Sequence, residues 1–175
     1  QAVRGIKPSW RDELEITDAI QWLVDMRFQV NPHIITDWWK DTGKPKDMIA
    51  ANRLILETID NQIDGKVCSS SELDGRIQVG KDSIIQNSII RGPVVIGENV
   101  TIENSYIGPF TSIGNNSTII EAEVENSILL EDVSIQSISE RIDASLVGKG
   151  ASIGARTKRP KSISFVLGDR SQILL

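Results

Sequence analysis

The clearest order in this chain is a rhythm of aliphatic residues in its second half. Val79, Ile96, Ile113, Leu130 and Val147 stand 17 residues apart, and so do Ile85, Ile102 and Ile119, and Ile90, Ile107 and Val124. Within one repeat the steps are 6, 5 and 6. Each aliphatic is followed by small or turn-forming residues, as in Val79-Gly80, Ile96-Gly97, Ile107-Gly108, Ile113-Gly114, Val147-Gly148 and Ile153-Gly154. Such a pattern suits a short strand that points one aliphatic inward, then a tight corner where Gly, Asn and Asp tolerate left-handed backbone angles. Three strands and three corners close one coil, and coils stack at the strand spacing of about 4.8 Å. One coil cannot bury its inner residues, but a stack can.

The spacing therefore predicts a parallel β-helix over about 65–154, with room for five coils, and more if Val67 and Leu73 begin the first. The register has one ambiguity. IQNSII (85–90), IENSYI (102–107), VENSIL (124–129) and IDASLV (142–147) are worded alike, and aligning them requires a five-residue insertion near Glu121. Strict 17-residue counting needs none before Ile142 and is the preferred register. Asn87, Asn104 and Asn126 are read as corner residues rather than ligands. The tail SISFVLGDRSQILL (162–175) reads as a cap or closing strand.

The first half has a different texture, with all four Trp and the only His before residue 40. Thr17 is placed to cap a short helix with Ala19, Ile20, Leu23 and Val24 on its apolar side. FQV (28–30) and HIITDWW (33–39) read as a strand pair, and Asp41, Thr42 and Gly43 as a turn. Pro45 suits the first turn of a second helix, in which Met48, Ala51, Ile55 and Ile59 recur at helical spacing. These elements are too few for a complete sheet and read as the end of a larger α/β domain.

Composition narrows the function. The chain has 175 residues, a net charge of −5 and 39% hydrophobic residues, which suits folded domains rather than disorder. The acidic balance gives no reason to expect nucleic acid as a partner. No apolar run approaches the roughly 18 residues of a membrane span, so no membrane partner is expected. The start, QAVRGIKPSWRDELE, lacks the apolar core of a signal peptide. A single cysteine, Cys68, cannot form an internal disulfide, and a cytoplasmic setting is expected.

Two motifs then point to a family. IKPSWRDELEITDAIQWLVD (6–25) followed by WWKDTGKPKDMIAANRLIL (38–56) closely resembles the end of the catalytic domain of glucose-1-phosphate thymidylyltransferases. In that family E-L-E-I-T-D precedes W-x-D-T-G, and long members continue into a hexapeptide β-helix. The resemblance covers essentially the whole chain. It implies a mainly β fold. An α/β C-terminal remnant of a nucleotidyltransferase domain would occupy 1–62, and a left-handed parallel β-helix of hexapeptide repeats with a cap would occupy 63–175. Handedness comes from the resemblance alone. The implied reaction joins dTTP and glucose 1-phosphate to give dTDP-glucose and pyrophosphate, with Mg²⁺ neutralising the phosphates. Taken as a residue, Asp41 is a turn or helix-cap residue as readily as a ligand. The resemblance makes it a metal-binding Asp, places Trp39 beside the bound nucleotide or sugar, and leaves Trp38 as packing. Glu13, Glu15 and Asp18 match E-L-E-I-T-D and are read mainly as structural.

The family's Gly-rich phosphate loop, first metal Asp and sugar-phosphate Lys are not in this sequence. Gly148-Lys149-Gly150 is read as a β-helix corner rather than a phosphate loop. The chain is thus expected to be the C-terminal part of such an enzyme, turning over no nucleotide by itself, with the β-helix organising a homo-oligomer, by preference a trimer. Two alternatives stand beside it. One is a hexapeptide acyltransferase, which would need a His base near the coils where His33 is not. The other is a nucleotidyltransferase for another sugar 1-phosphate or nucleotide. The basic run RTKRPK (156–161) reads as a solvated loop.

Overall fold

A computed structural model describes residues 2–36, 39 and 42–155. It divides between residues 39 and 40 into two compact units, each of which is described by itself.

The first unit holds two helices, α1 (Ala2–Gly5) and α2 (Ile16–Asp25), packed on each other. The approach is close at Gly5, where a Cβ would stand 2.7 Å from Trp22 Nε1. Trp22 in turn stacks on Phe28 with ring centroids 6.3 Å apart. Two expectations fail here. Thr17 lies inside α2, and the residue before the helix is Glu15, whose side chain makes no capping bond. Its carboxylate is taken instead by Ser9 and Arg11. The expected strand pair is also absent: residues 28–36 form no strand, because nothing among the described residues offers them a ladder. Of the described apolar residues in this unit only Ala19 is buried, while Trp10 is 93% and Ile34 83% exposed.

The second unit begins with α3 (Pro45–Leu56), which has Pro at its first turn as expected. The coils follow. β1 (Gln62–Ile63), β2 (Lys66–Val67) and β3 (Glu72–Asp74) make the first coil, and β4 (Ile77–Val79), β5 (Ile84–Gln86) and β6 (Ile89–Arg91) the second. β7 (Val94–Ile96), β8 (Thr101–Glu103) and β9 (Tyr106–Ile107) make the third, and β10 (Thr111–Ile113), β11 (Thr118–Ile120) and β12 (Glu123–Glu125) the fourth. β13 (Ile128–Leu129), β14 (Ser134–Gln136) and β15 (Ile142–Asp143) make the fifth, and β16 (Leu146–Val147) and β17 (Ser152–Gly154) start a sixth. Every pairing is parallel. Among the described residues, faces one and two have six strands each and face three has five. This is the parallel β-solenoid that hexapeptide repeats form, and its core is one column of Ile, Val and Leu.

The register corrects the 17-residue count at one place. Ile113 pairs with Leu129, not Leu130, and Leu129 pairs with Val147. Leu129 is 1% exposed and Leu130 40%. The reason lies in the corners. A five-residue step sets a left-handed residue two after the core aliphatic, as in Ile85-Gln86-Asn87 and Ile102-Glu103-Asn104, with Asn φ of 44° and 48°. In the second and third coils that turn joins faces two and three. In the fourth coil the same wording, Val124-Glu125-Asn126-Ser127, joins faces three and one, where Asn126 has φ 47°. A six-residue step is thereby replaced by a five-residue one and the count slips. No insertion occurs at Glu121, since Val124 pairs directly with Ile107. The wording repeats because the local turn repeats, although it changes corner.

Serines stitch these corners along the stack. Ser71 Oγ accepts from Ser88 N–H at 3.2 Å, Ser88 Oγ from Ser105 N–H at 3.1 Å, and Ser105 Oγ from Ala122 N–H at 3.2 Å. Ala122 has no hydroxyl to pass the bond on. The next turn of this corner takes seven residues, from Ile135 to Ile142.

Helix α3 packs in this unit with the coils, on a different face from the expected one. Met48 and Ile55 are exposed and Ile59 lies past the helix end, while Leu56 is buried. The seat is polar. Asn52 Nδ2 donates to the Phe110 carbonyl at 3.0 Å, and Ser112 Oγ donates to Asn52 Oδ1 at 2.6 Å. The Arg53 guanidinium lies over the Phe110 ring, 4.6 Å from its centroid. An apolar-periodicity rule cannot find a seat built on Asn and Arg.

Candidate functional site

Trp39 lies at the end of the first unit and is 72% exposed, an apolar ring presented to solvent. Asp41 and Trp38 lie outside the described residues, as do RTKRPK and the 162–175 tail. Of the E-L-E-I-T-D residues, Glu15 has a structural role. It accepts from Ser9 Oγ at 2.9 Å, and from Arg11 at 3.2 Å through Nε and 2.7 Å through the terminal nitrogen. The Arg11 hydrogen bond, then that of Ser9, holds the Glu15 carboxyl below the usual range, and the same bond raises Arg11. This pair ties the incoming loop to the start of α2. Asp18, in the first turn of α2, sits where the helix dipole favours a negative charge.

His33 is exposed in the first unit, and the coils contain no histidine. Gly148-Lys149-Gly150 is a coil corner: Gly150 has φ 68°, and Lys149 Nζ bridges Glu131 at 3.2 Å and Asp132 at 3.5 Å. Those two carboxylates, Glu131 first, raise the Lys149 ammonium above its usual value. Among the described residues, no three His, Cys, Asp or Glu side chains group to hold a metal. No helix among them is long and apolar enough to cross a membrane.

Fold and sequence together define a hexapeptide-type β-helix preceded by nucleotidyltransferase sequence: residues 1–58 match the nucleotidyl transferase family. The particular relatives are sugar-nucleotide enzymes. The chain is 44% identical over 172 residues to the glucose-1-phosphate thymidylyltransferase of Streptomyces griseus, a match covering 98% of this chain and 48% of that protein. It is 42% identical over 177 residues to the low-salt glycan biosynthesis nucleotidyltransferase of Haloferax volcanii, covering 99% of this chain and 49% of that protein. A hexapeptide transferase family protein from Anaplasma phagocytophilum overlays 62% of this chain and 72% of that one, at 19% identity and a TM-score of 0.28. The chain is therefore homologous to glucose-1-phosphate thymidylyltransferases along essentially its whole length, and it spans about half the length of the curated relatives it matches.

Proposed function

We propose that this chain is the C-terminal part of a glucose-1-phosphate thymidylyltransferase, with residues 1–62 closing the catalytic domain and 63–175 forming the β-helix. The observation that carries this reading is the near-complete alignment, at 44% identity, with an enzyme of that name. In the reaction, a phosphate oxygen of glucose 1-phosphate attacks the α-phosphorus of dTTP. The bond from that phosphorus to the bridging oxygen breaks, and pyrophosphate leaves. Catalysis of this kind rests on positioning and charge neutralisation. Trp39 offers the exposed ring against which a base or sugar packs. Asp41 would give one carboxylate to Mg²⁺, the other ligands coming from substrate, water and the rest of the catalytic domain. When bound, the ion offsets phosphate charge. The exposed apolar side chains of the first unit, Trp10 and Ile34 among them, are what a partial domain presents. This chain alone is inactive in this reading, the protein is cytoplasmic, and the coils assemble it as a trimer.

The test uses the longer protein that contains this chain. Pyrophosphate release is followed with glucose 1-phosphate and each nucleoside triphosphate in turn. dTTP should be preferred, and Asp41→Ala should lower kcat/KM by about a hundredfold or more with folding intact. Unchanged turnover in Asp41→Ala rules out the metal role. Preference for another triphosphate or sugar 1-phosphate replaces the thymidylyl reading with a relative of the same class. Light scattering of the 19.3 kDa chain reads its oligomeric state directly.

A further inference from the structure

The corner between faces two and three departs from its own rhythm, and the departure opens a groove. In the second and third coils the corner is Asn-Ser, at Asn87-Ser88 and Asn104-Ser105. In the fourth coil Glu121-Ala122 takes that place, with Glu121 at φ 51°, a conformation that Asn tolerates far better than Glu. In the fifth coil the corner widens to seven residues and brings in Ile138 and Ser139. In repeat proteins, added residues in one repeat map to one face, often the binding face. Here they bound a groove of about 470 Å³ that also takes in Asn87, Ile89, Asn104, Tyr106, Glu121 and Glu123.

The lining sets the ligand chemistry. It holds two carboxylates, and the cation beside it, Arg141, is already paired with Glu123 and Glu125, so the groove offers a phosphate no unpaired positive charge. Hydrogen-bonding capacity is open in both directions. Asn87 Nδ2 donates to Asn104 Oδ1 at 2.6 Å, and among the described residues Asn87 Oδ1, Asn104 Nδ2 and the Tyr106 hydroxyl have no partner. Glu121 Oε2 accepts from Ser137 Oγ at 2.8 Å, and Oε1 has no partner among the described residues. Glu123 is held by Arg141 at 2.7 Å, and Arg141 also covers the Tyr106 ring 4.9 Å from its centroid, which fixes both side chains. Between the polar groups lie Ile89, 39% exposed, and Ile138. Apolar patches among fixed amides, hydroxyls and a carboxylate match a molecule with C–H faces and ring hydroxyls.

We propose that this groove binds a neutral saccharide, at a site separate from the nucleotidyl-transfer chemistry and independent of that reading. Glu121 would accept from sugar hydroxyls. Its strained backbone is kept because Asn there would supply no carboxylate.

The test uses this chain, labelled with ¹⁵N and titrated with glucose, galactose, mannose, maltose and cellobiose, with glucose 1-phosphate as the anionic control. At least one neutral sugar should give saturable shifts at the Asn87 and Asn104 side-chain amides and at the backbone amides of 105, 106 and 121–123. Glucose 1-phosphate should bind there at least about tenfold more weakly. Tyr106→Phe keeps the ring and should weaken binding about two- to tenfold. Glu121→Asn should weaken binding while raising the melting temperature, a pairing that a purely structural Glu121 would not give. No saturable shift with any of the sugars up to about 100 mM, shifts elsewhere on the chain, equal binding of glucose 1-phosphate, or unchanged affinity in Glu121→Asn would each overturn the proposal.

Discussion

At the scale of single residues, the corners decide more than the core does. An inward Ile is one of many that would serve, whereas most corners need a residue that accepts left-handed angles, and all need a way to satisfy the backbone groups they expose. Ser105 shows the second requirement. Its Oγ donates to the Glu103 carbonyl at 2.7 Å and accepts the buried Ala122 N–H. Ser105→Ala should therefore cost about 1–3 kcal/mol, the penalty of an orphaned buried donor, in a urea titration of the chain. A cost below a few tenths would show that water reaches that N–H. A second prediction concerns the loop before α2. The Glu15 carboxyl is depressed by Arg11, so its folded value lies below its unfolded one. The contribution of the pair is complete above the ordinary Glu range and fades as pH falls through the depressed value. Amide shifts of residues 9–18, followed from pH 7 down to about 3, should report loosening on the acid side, and Arg11→Gln should reduce that dependence to the part that Ser9 sustains. The Asn corners were legible in the sequence because Asn marks left-handed backbone. The Glu15–Arg11 pair was not, because an ion pair depends on how the intervening turn folds.

Among elements, the coil is the unit that repeats but not the unit that counts residues. Two kinds of corner, of five and six residues, can be exchanged without disturbing the strands. An exchange in the fourth coil shifts the register back by one, the seven-residue corner of the fifth carries it one ahead, and the five-residue step from Ile142 to Val147 restores it. This has a sharp test. Leu129→Ala should cost about 2–5 kcal/mol, since it empties a fully buried site, while Leu130→Ala should cost well under 1 kcal/mol. A larger cost at Leu130 than at Leu129 by chemical denaturation would reinstate the uniform 17-residue count. Helix α3 teaches a related lesson. Its period and its proline were readable, but the side turned to the coils was not, because Asn52 and Arg53 make the contacts. Hydrophobic spacing points to the wrong stripe where the receiving surface offers a carbonyl, a hydroxyl and an aromatic ring.

For the molecule as a whole, burial is unequal between the two units. The coils enclose a continuous aliphatic column, whereas the first unit buries only Ala19 among its described apolar residues. Hydrogen exchange should accordingly be slow for the inner coil amides and fast throughout residues 2–36. Matching protection in both units would mean that the first is covered in solution. The sequence by itself determined that the second half is a parallel β-helix, because a period of about 17 with turn formers after each aliphatic has few other ways to bury its apolar side. It also pointed to the nucleotidyltransferase relatives, through motifs whose meaning survives in the order of a few residues. Only the tertiary structure decided which leucine enters the core, how α3 is seated, and that one corner opens into a groove. Each of these depends on which residues stand above one another in neighbouring coils, and stacking is set by the sum of all the corner lengths rather than by any one stretch of sequence.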